Sequence, residues 1–358
     1  MRTLFDTVAF RSGQKMKNRF MLAPMTNTQS REDGTLTEEE FRWLTLRAEG
    51  GFGITMTCAS HVQANGKGFP GQLGIFSDKH MDGHRRLAQA IRSAGSLALI
   101  QLHHAGIRSP KELVEDGPVG PSAHEKSNSR ALSTKEVQRL RDDFVASGIR
   151  AKKCGYNGVE IHGAHGYILC QFLSLKYNLR KDEYGGALEN RSRLIFEIIE
   201  GIRSACGSEF MIGLRLSPER FGMRLQEVKT VCKRLIEESR LDFLDISLWD
   251  CFKEPEEEEY RGKSLLEHFT EIDYGETRLT VAGNIRSADD CRAVLKAGVD
   301  FVTIGRAAIL HHNFPELVRQ QADFEPQPLP VSRDYLKSEG LSERFIEYMG
   351  RWPGFVES

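Results

Sequence analysis

The chain has little that would tie it to a membrane, a nucleic acid or an oxidising compartment. Its 358 residues carry a net charge of only −1, so no overall field draws it to polyanions or anionic lipid. No apolar run approaches the roughly 18 residues a membrane span needs. The opening MRTLFDTVAFRSGQKMKNRF has no stretch suited to a secretory signal. The seven cysteines, Cys58, Cys154, Cys170, Cys206, Cys232, Cys251 and Cys291, are odd in number, and no two form a C-x-x-C pair. A disulfide framework or thiolate metal cluster is therefore not expected, and each cysteine reads as a small buried apolar residue. A cytoplasmic home follows, with no nucleic-acid or membrane partner. Linkers and internal repeats are also missing. What is present, 40% hydrophobic and 28% charged residues, fits a globular protein with a sizeable core.

Short apolar runs alternate with amphipathic stretches, the pattern of repeated β-α units. Strands are expected at Arg19–Ala23, Gly53–Thr57, Leu97–Leu102, Gly158–Ile161, Met211–Leu216, Phe243–Ile246, Leu279–Ala282 and Phe301–Ile304. Eight of them make a closed (β/α)8 TIM barrel the expected α/β fold. Helices are expected over Lys135–Lys153, with Ser133 and Glu136 at capping-box spacing, and over Leu188–Ala205 and Leu225–Ser239. A further helix carrying Val294, Leu295 and Ala297 should stop at Gly298. The whole chain, 1–358, is read as one domain: a barrel core over about 17–322 and a C-terminal helical extension over about 323–358. The longest irregular stretch, Ala105–Leu132, follows strand 3 and should lie at the barrel's C-terminal face, where such barrels build active sites. The acidic run Glu254–Glu259 reads as a solvated loop.

Three constellations carry chemistry. Glu160-Ile161-His162-Gly163-Ala164-His165-Gly166-Tyr167 places two imidazoles and a phenol within six residues, where strand 4 ends in a glycine-broken turn. Imidazole N–H groups can hold a developing oxyanion, and a phenol can deliver a proton. A metal pair or two structural histidines are the other readings, but no third ligand motif is visible and no metal is expected. Val281-Ala282-Gly283-Asn284 and Thr303-Ile304-Gly305-Arg306 each leave a strand through glycine into a helix start. There backbone N–H groups can approach a phosphate closely, and the loops after strands 7 and 8 are the recurrent phosphate site of these barrels. Arg306 can add a charge-assisted contact. Ala23-Pro24-Met25-Thr26, Gln101 and Arg215 stand at the ends of strands 1, 3 and 5. An apolar support, an amide and a cation are the types that a redox-active ring needs around it.

Together these residues resemble the old yellow enzyme family of FMN-dependent ene-reductases. The matching runs are Lys17-Asn18-Arg19 with Ala23-Pro24-Met25, Leu73-Gly74-Ile75 before Asp78, Gln101 to Gly106, the His162–Tyr167 block, Asp182 to Gly186 with Leu188-Glu189-Asn190-Arg191, and the glycine pairs after strands 7 and 8. They extend from residue 17 to about 315. The resemblance implies non-covalent FMN, with Ala23, Pro24, Met25, Thr26 and Gln101 around the isoalloxazine ring and Arg215 beside its N1 and C2 carbonyl edge. It implies a phosphate clamp of Gly283, Asn284, Gly305 and Arg306, a substrate-binding pair of His162 and His165, and Tyr167 as proton donor. NADPH or NADH would reduce FMN, and an α,β-unsaturated carbonyl or nitro compound would then take hydride in the same pocket, with ping-pong kinetics.

There are departures. Thr26 and Thr28 stand where the branch with the His-His pair often has cysteine and tyrosine, and Ile107 stands where arginine is common, with Arg108 one step later. Some relatives carry a C-terminal iron–sulfur cluster and a second nucleotide domain. With Cys291 as the last cysteine and Ser358 as the end, neither is expected here. A homodimer or higher homo-oligomer is expected, and the run Tyr348–Pro353 either packs on its own barrel or, as in some relatives, reaches a neighbouring protomer's site. Two rival functions remain open: a flavin-free barrel acting on a sugar phosphate, for which no base can be assigned, and a non-catalytic FMN-binding protein.

Overall fold

The computed structural model describes residues 2–238 and 240–357. Eight apolar runs form one closed, all-parallel barrel: β1 (Phe20–Leu22), β2 (Ile54–His61), β3 (Leu97–His103), β4 (Gly158–Gly163), β5 (Met211–Leu216), β6 (Phe243–Ser247), β7 (Arg278–Ala282) and β8 (Phe301–Ile304). Each strand pairs with the next in chain order, and β8 returns to β1. The runs are near-continuously apolar because both faces are covered, by helices outside and packed side chains inside. Every expected strand falls on an observed one. β2 continues past Thr57 to His61, because a register shift between Met56 and Ala59 absorbs the break in aliphatic pattern there. β4 continues to Gly163, so His162 is a strand residue rather than part of the turn. β3 likewise runs two residues beyond Gln101.

The helices are α1 (Glu38–Glu49), α2 (Met81–Ser93), α3 (Thr134–Lys153), α4 (Ile168–Leu173), α5 (Leu188–Cys206), α6 (Leu225–Glu237), α7 (Leu265–Thr270), α8 (Ala288–Lys296), α9 (Arg306–Leu310), α10 (Phe314–Gln320), α11 (Arg333–Ser338) and α12 (Glu343–Met349). The capping box of α3 forms as its spacing predicts: Glu136 N–H donates to Ser133 Oγ at 3.3 Å, and Ser133 N–H donates to the Glu136 carboxylate at 2.8 Å. Helix α6 is described to Glu237, and its expected last residue, Ser239, lies outside the described residues. Gly298 follows α8 at φ +117°, a left-handed stop that glycine takes without strain. All seven cysteines are free and buried. The stretch after β3 holds three short 3-10 turns and a two-stranded pairing of Val119–Gly120 with Arg130–Ala131.

The two ends of the barrel differ. At the N-terminal end a hairpin, Val8–Ala9 with Lys15–Met16, brings Phe10 edge-on to Phe243 and Phe301, the first residues of β6 and β8. A Cβ on Gly213 would lie 2.1 Å from the Phe243 ring, so only glycine leaves room for this aromatic layer. The hairpin therefore plugs that end. At the other end, α12 docks on α1, with Phe345 5.4 Å from Trp43 ring to ring. Arg47 is fully buried and donates to the carbonyls of Trp43, Ala308, Ile309 and Glu339, tying α1, α9 and the end of α11 together.

Candidate active site

At the C-terminal end of the barrel a cavity of about 590 Å³ opens among the strand ends. Ala23, Pro24, Met25 and Thr26 line it from the segment after β1. That segment is anchored from behind, where buried Glu40 accepts from Asn27 Nδ2 at 3.0 Å and from Cys58 Sγ at 3.1 Å. Arg215 enters from β5, Gly283 and Asn284 follow β7, and Gly305 and Arg306 follow β8. His165 and Tyr167 come from the turn after β4. The structure thus brings together around one cavity all of the sequence-predicted site residues except two, Gln101 and His162.

Those two sit just behind the wall. Gln101 is 1% exposed, and its Nε2 donates to Glu160 Oε2 at 2.5 Å, its cross-strand neighbour on β4. His162 is buried against His165, with its Nε2 3.3 Å from His165 Nδ1. Ala164 N–H donates to His162 Nδ1 at 3.2 Å, so the neutral ring carries its proton on Nε2 and aims it at His165. His165 then holds its own proton on Nε2, free to donate. Burial first holds both imidazole pKa values well below the usual histidine range; next come His165 and then the cations Arg215 and Arg108 for His162, and Arg215 and Arg108 for His165. Both rings are therefore neutral at pH 7 and act as hydrogen-bond donors rather than cations. Tyr167 shifts the other way: burial raises its phenol, opposed by the guanidinium of Arg108, which lies 4.8 Å from the ring centroid. His103 meets the same ring edge-on at 4.4 Å.

Arg215 is steadied by a network that local sequence reading missed. Its Nε donates to Ser247 Oγ at 2.7 Å and lies 3.1 Å from Asp245 Oδ2, with Asp245 its register neighbour on β6. Buried Glu160 stands on the other side of that carboxylate. Burial first, and then the charge of Asp245, raise the Glu160 carboxyl, which favours its protonated form at neutral pH. An acid in an otherwise apolar parallel strand, as in Phe243-Leu244-Asp245-Ile246-Ser247, was the available signal.

The phosphate-type corner is built from like charges. Arg286 lines the cavity beside Arg306, and burial together with Arg286 lowers the Arg306 pKa. Arg306 Nη2 donates to Asn284 Oδ1 at 3.3 Å. Two guanidiniums held together at a glycine-lined rim fit an anion between them, and a Cβ on Gly283 would come within 3.1–3.2 Å of the Cys251 and Asp250 backbone nitrogens. These residues fit a phosphate-bearing ring cofactor with its polar edge at Arg215. His165, Phe221, Trp249 and Asn284, all on the cavity wall, have φ of +59°, +52°, +63° and +57°. Left-handed non-glycine residues store strain and cluster at functional sites. Tyr348, Met349 and Trp352 of the C-terminal run also line this chain's own cavity. No group of three or more potential metal ligands occurs among the described residues.

Comparison with known proteins gives the family and the fold. A model of the NADH:flavin oxidoreductase / NADH oxidase family matches residues 3–325. The chain is similar to a probable NADH-dependent flavin oxidoreductase, YqiG, of Bacillus subtilis (strain 168), at 36% identity over 328 residues, 88% of each chain. Three other curated relatives are longer, and the chain spans 49%, 37% and 36% of them. Among solved structures, the old yellow enzyme homologue from Zymomonas mobilis superposes with TM-score 0.81 at 27% identity, over 96% of this chain and 99% of that one. Morphinone reductase in complex with tetrahydroNAD superposes with TM-score 0.79 at 25% identity, over 100% and 98%.

Proposed function

The chain belongs to the NADH:flavin oxidoreductase / NADH oxidase family, that is, to the FMN-dependent old yellow enzymes, and on that premise we propose that it holds FMN non-covalently in the described cavity and uses NADH or NADPH to reduce the activated C=C bond of an α,β-unsaturated carbonyl or nitro compound. The observation that carries this reading is the convergence on one 590 Å³ cavity of a paired-arginine corner, Arg215 and the His165–Tyr167 turn. Asn284, Gly305, Arg286 and Arg306 would hold the phosphate, and Pro24, Met25 and Thr26 would support the ring. FMN held there would supply the redox chemistry, as acceptor and then donor of hydride.

The chain's own residues do the rest. His165 donates its Nε2 proton to the substrate carbonyl or nitro oxygen, drawing electron density from the alkene. His162 fixes the tautomer and angle of His165 through the 3.3 Å contact and so helps hold the same oxygen. Tyr167, protonated at neutral pH, delivers the proton to the α-carbon. Arg215, held by Ser247 and Asp245, steadies electron-rich atoms at the cofactor's edge. We read the barrel core and the C-terminal extension as one functional domain acting in the cytosol as a homo-oligomer. The test is anaerobic. Heat-released cofactor should co-migrate with FMN, NADH or NADPH should bleach the yellow protein, and 2-cyclohexenone or a nitroalkene should restore the colour with one equivalent of saturated product. Release of FAD, no bleaching, or recolouring without saturated product would refute the reading.

A further inference from the structure

Among the described residues four arginines line the cavity, Arg108, Arg215, Arg286 and Arg306, and no aspartate or glutamate does. Three of them already have a place in the proposed site. Arg215 is paired with Asp245 at 3.1 Å. Arg286 and Arg306 stand together at the phosphate-type corner. Arg108 is left over. Among the described residues no carboxylate pairs with it, and the one hydrogen bond of its guanidinium, from Nη1, goes to the backbone carbonyl of His165. That bond and the contact with the Tyr167 ring hold the guanidinium beside the two groups proposed to face the substrate. Its remaining N–H donors are unclaimed, in a fork suited to a carboxylate. Trp249 and Trp352, 46% and 45% exposed, line the same cavity together with Tyr348.

We infer that Arg108 selects the substrate by charge: the alkene this site takes carries a carboxylate besides its activating carbonyl or nitro group, and Arg108 binds that carboxylate at the Tyr167 end of the cavity. This rests on the proposed alkene reduction and names the substrate class of that same site. The guanidinium is fixed by a neighbour's carbonyl rather than by an acid, so its charge is available to a ligand. An anion there meets no opposing carboxylate on the wall.

The test compares (E)-4-oxo-2-pentenoate with its methyl ester as acceptors for the reduced holoprotein, in the parent, Arg108→Gln and Arg108→Lys. The acid-to-ester ratio of kcat/KM should fall by about 10-fold or more in Arg108→Gln, the size of one lost charge-assisted contact. It should largely persist in Arg108→Lys. Losses common to both acceptors cancel in the ratio. A second arm needs no turnover: calorimetric binding of 4-hydroxybenzoate against its methyl ester to the oxidised holoprotein, where the parent should prefer the acid and Arg108→Gln should not. If Arg108→Gln lowers acid and ester alike, Arg108 only orients Tyr167 and the inference fails. If it slows reduction by NADPH while the ratio stands, the arginine serves the dinucleotide phosphates, and the inference fails as well. If the parent reduces neither acceptor, the alkene reading is what fails, while the binding arm still decides whether Arg108 recognises a carboxylate.

Discussion

Replacing Tyr167 with phenylalanine should separate the two halves of the catalytic cycle. The substitution removes one oxygen and leaves the ring where it is. His103 at 4.4 Å, His162 at 5.1 Å and Arg108 at 4.8 Å hold it by its face and edges. No hydrogen bond from the hydroxyl to the protein occurs among the described residues, so the fold should change in stability by no more than about 0.5 kcal/mol. Reduction by NAD(P)H needs hydride transfer and no proton from a phenol. Reduction of an enone needs a proton at the α-carbon as hydride reaches the β-carbon. Losing one placed general acid costs about 10²–10⁴-fold, or about 2.7–5.5 kcal/mol of transition-state stabilisation. That loss should fall wholly on reoxidation by 2-cyclohexenone. A quinone, which takes electrons without protonation at carbon, should reoxidise the variant at the parent rate, and a nitroalkene should be intermediate because its nitronate can leave and be protonated by water. Stopped-flow reduction by NADPH and reoxidation by each acceptor measure all of this. Equal slowing of both halves would make the tyrosine a positioning group. No slowing at all would mean that water or another side chain supplies the proton, and the assignment would be wrong.

Other outcomes follow from the same geometry. His165→Ala should weaken p-hydroxybenzaldehyde binding by about 1.5–3 kcal/mol and His162→Ala by less, because His162 acts largely through its neighbour; parent-like long-wavelength titrations for both would remove the histidines from the binding site. Arg306→Ala should raise the FMN dissociation constant by about 10–150-fold, the equivalent of 1.5–3 kcal/mol, and an unchanged constant in fluorescence titration of apoprotein would place the phosphate elsewhere. Glu160 binds its proton more tightly folded than unfolded, with its pKa raised to about 8. Its stabilising effect is therefore complete below the ordinary carboxyl range and is lost progressively as pH rises above it. Urea melts from pH 5 to pH 8 should show Glu160→Gln losing stability less steeply than the parent, and parallel slopes would contradict the protonated assignment.

The barrel was legible because both of its periodicities are local. Runs such as Phe301–Ile304 are apolar throughout, and Ser133 with Glu136 announces a helix start within four residues. Site residues that follow a strand end directly, such as Asn284 and Arg306, were legible for the same reason. What escaped depends on register across strands. Gln101 has the right side chain for a cofactor's edge, but its cross-strand partner is Glu160, and nothing near it in sequence says so. Asp245 meets Arg215 only once β5 and β6 are aligned. His162 faces inward because β4 runs two residues longer than its aliphatic pattern. Arg286 lies three residues beyond a glycine that was read, on a loop whose path a sequence does not give. Trp249 and Trp352 meet the cavity from segments about a hundred residues apart.

The plugged end of the barrel gives the molecule a front and a back for handling. The hairpin of Val8–Ala9 and Lys15–Met16 seals the back with Phe10, while every entrance described lies at the front among the strand ends. A solid support or electrode coupled through exposed Lys15 would therefore hold the protein with its mouth toward solution. Coupling through the exposed Arg351 on the rim, next to Trp352, would press the mouth against the surface and starve it of both substrates. The same chain immobilised in these two orientations should differ in apparent turnover by diffusion alone.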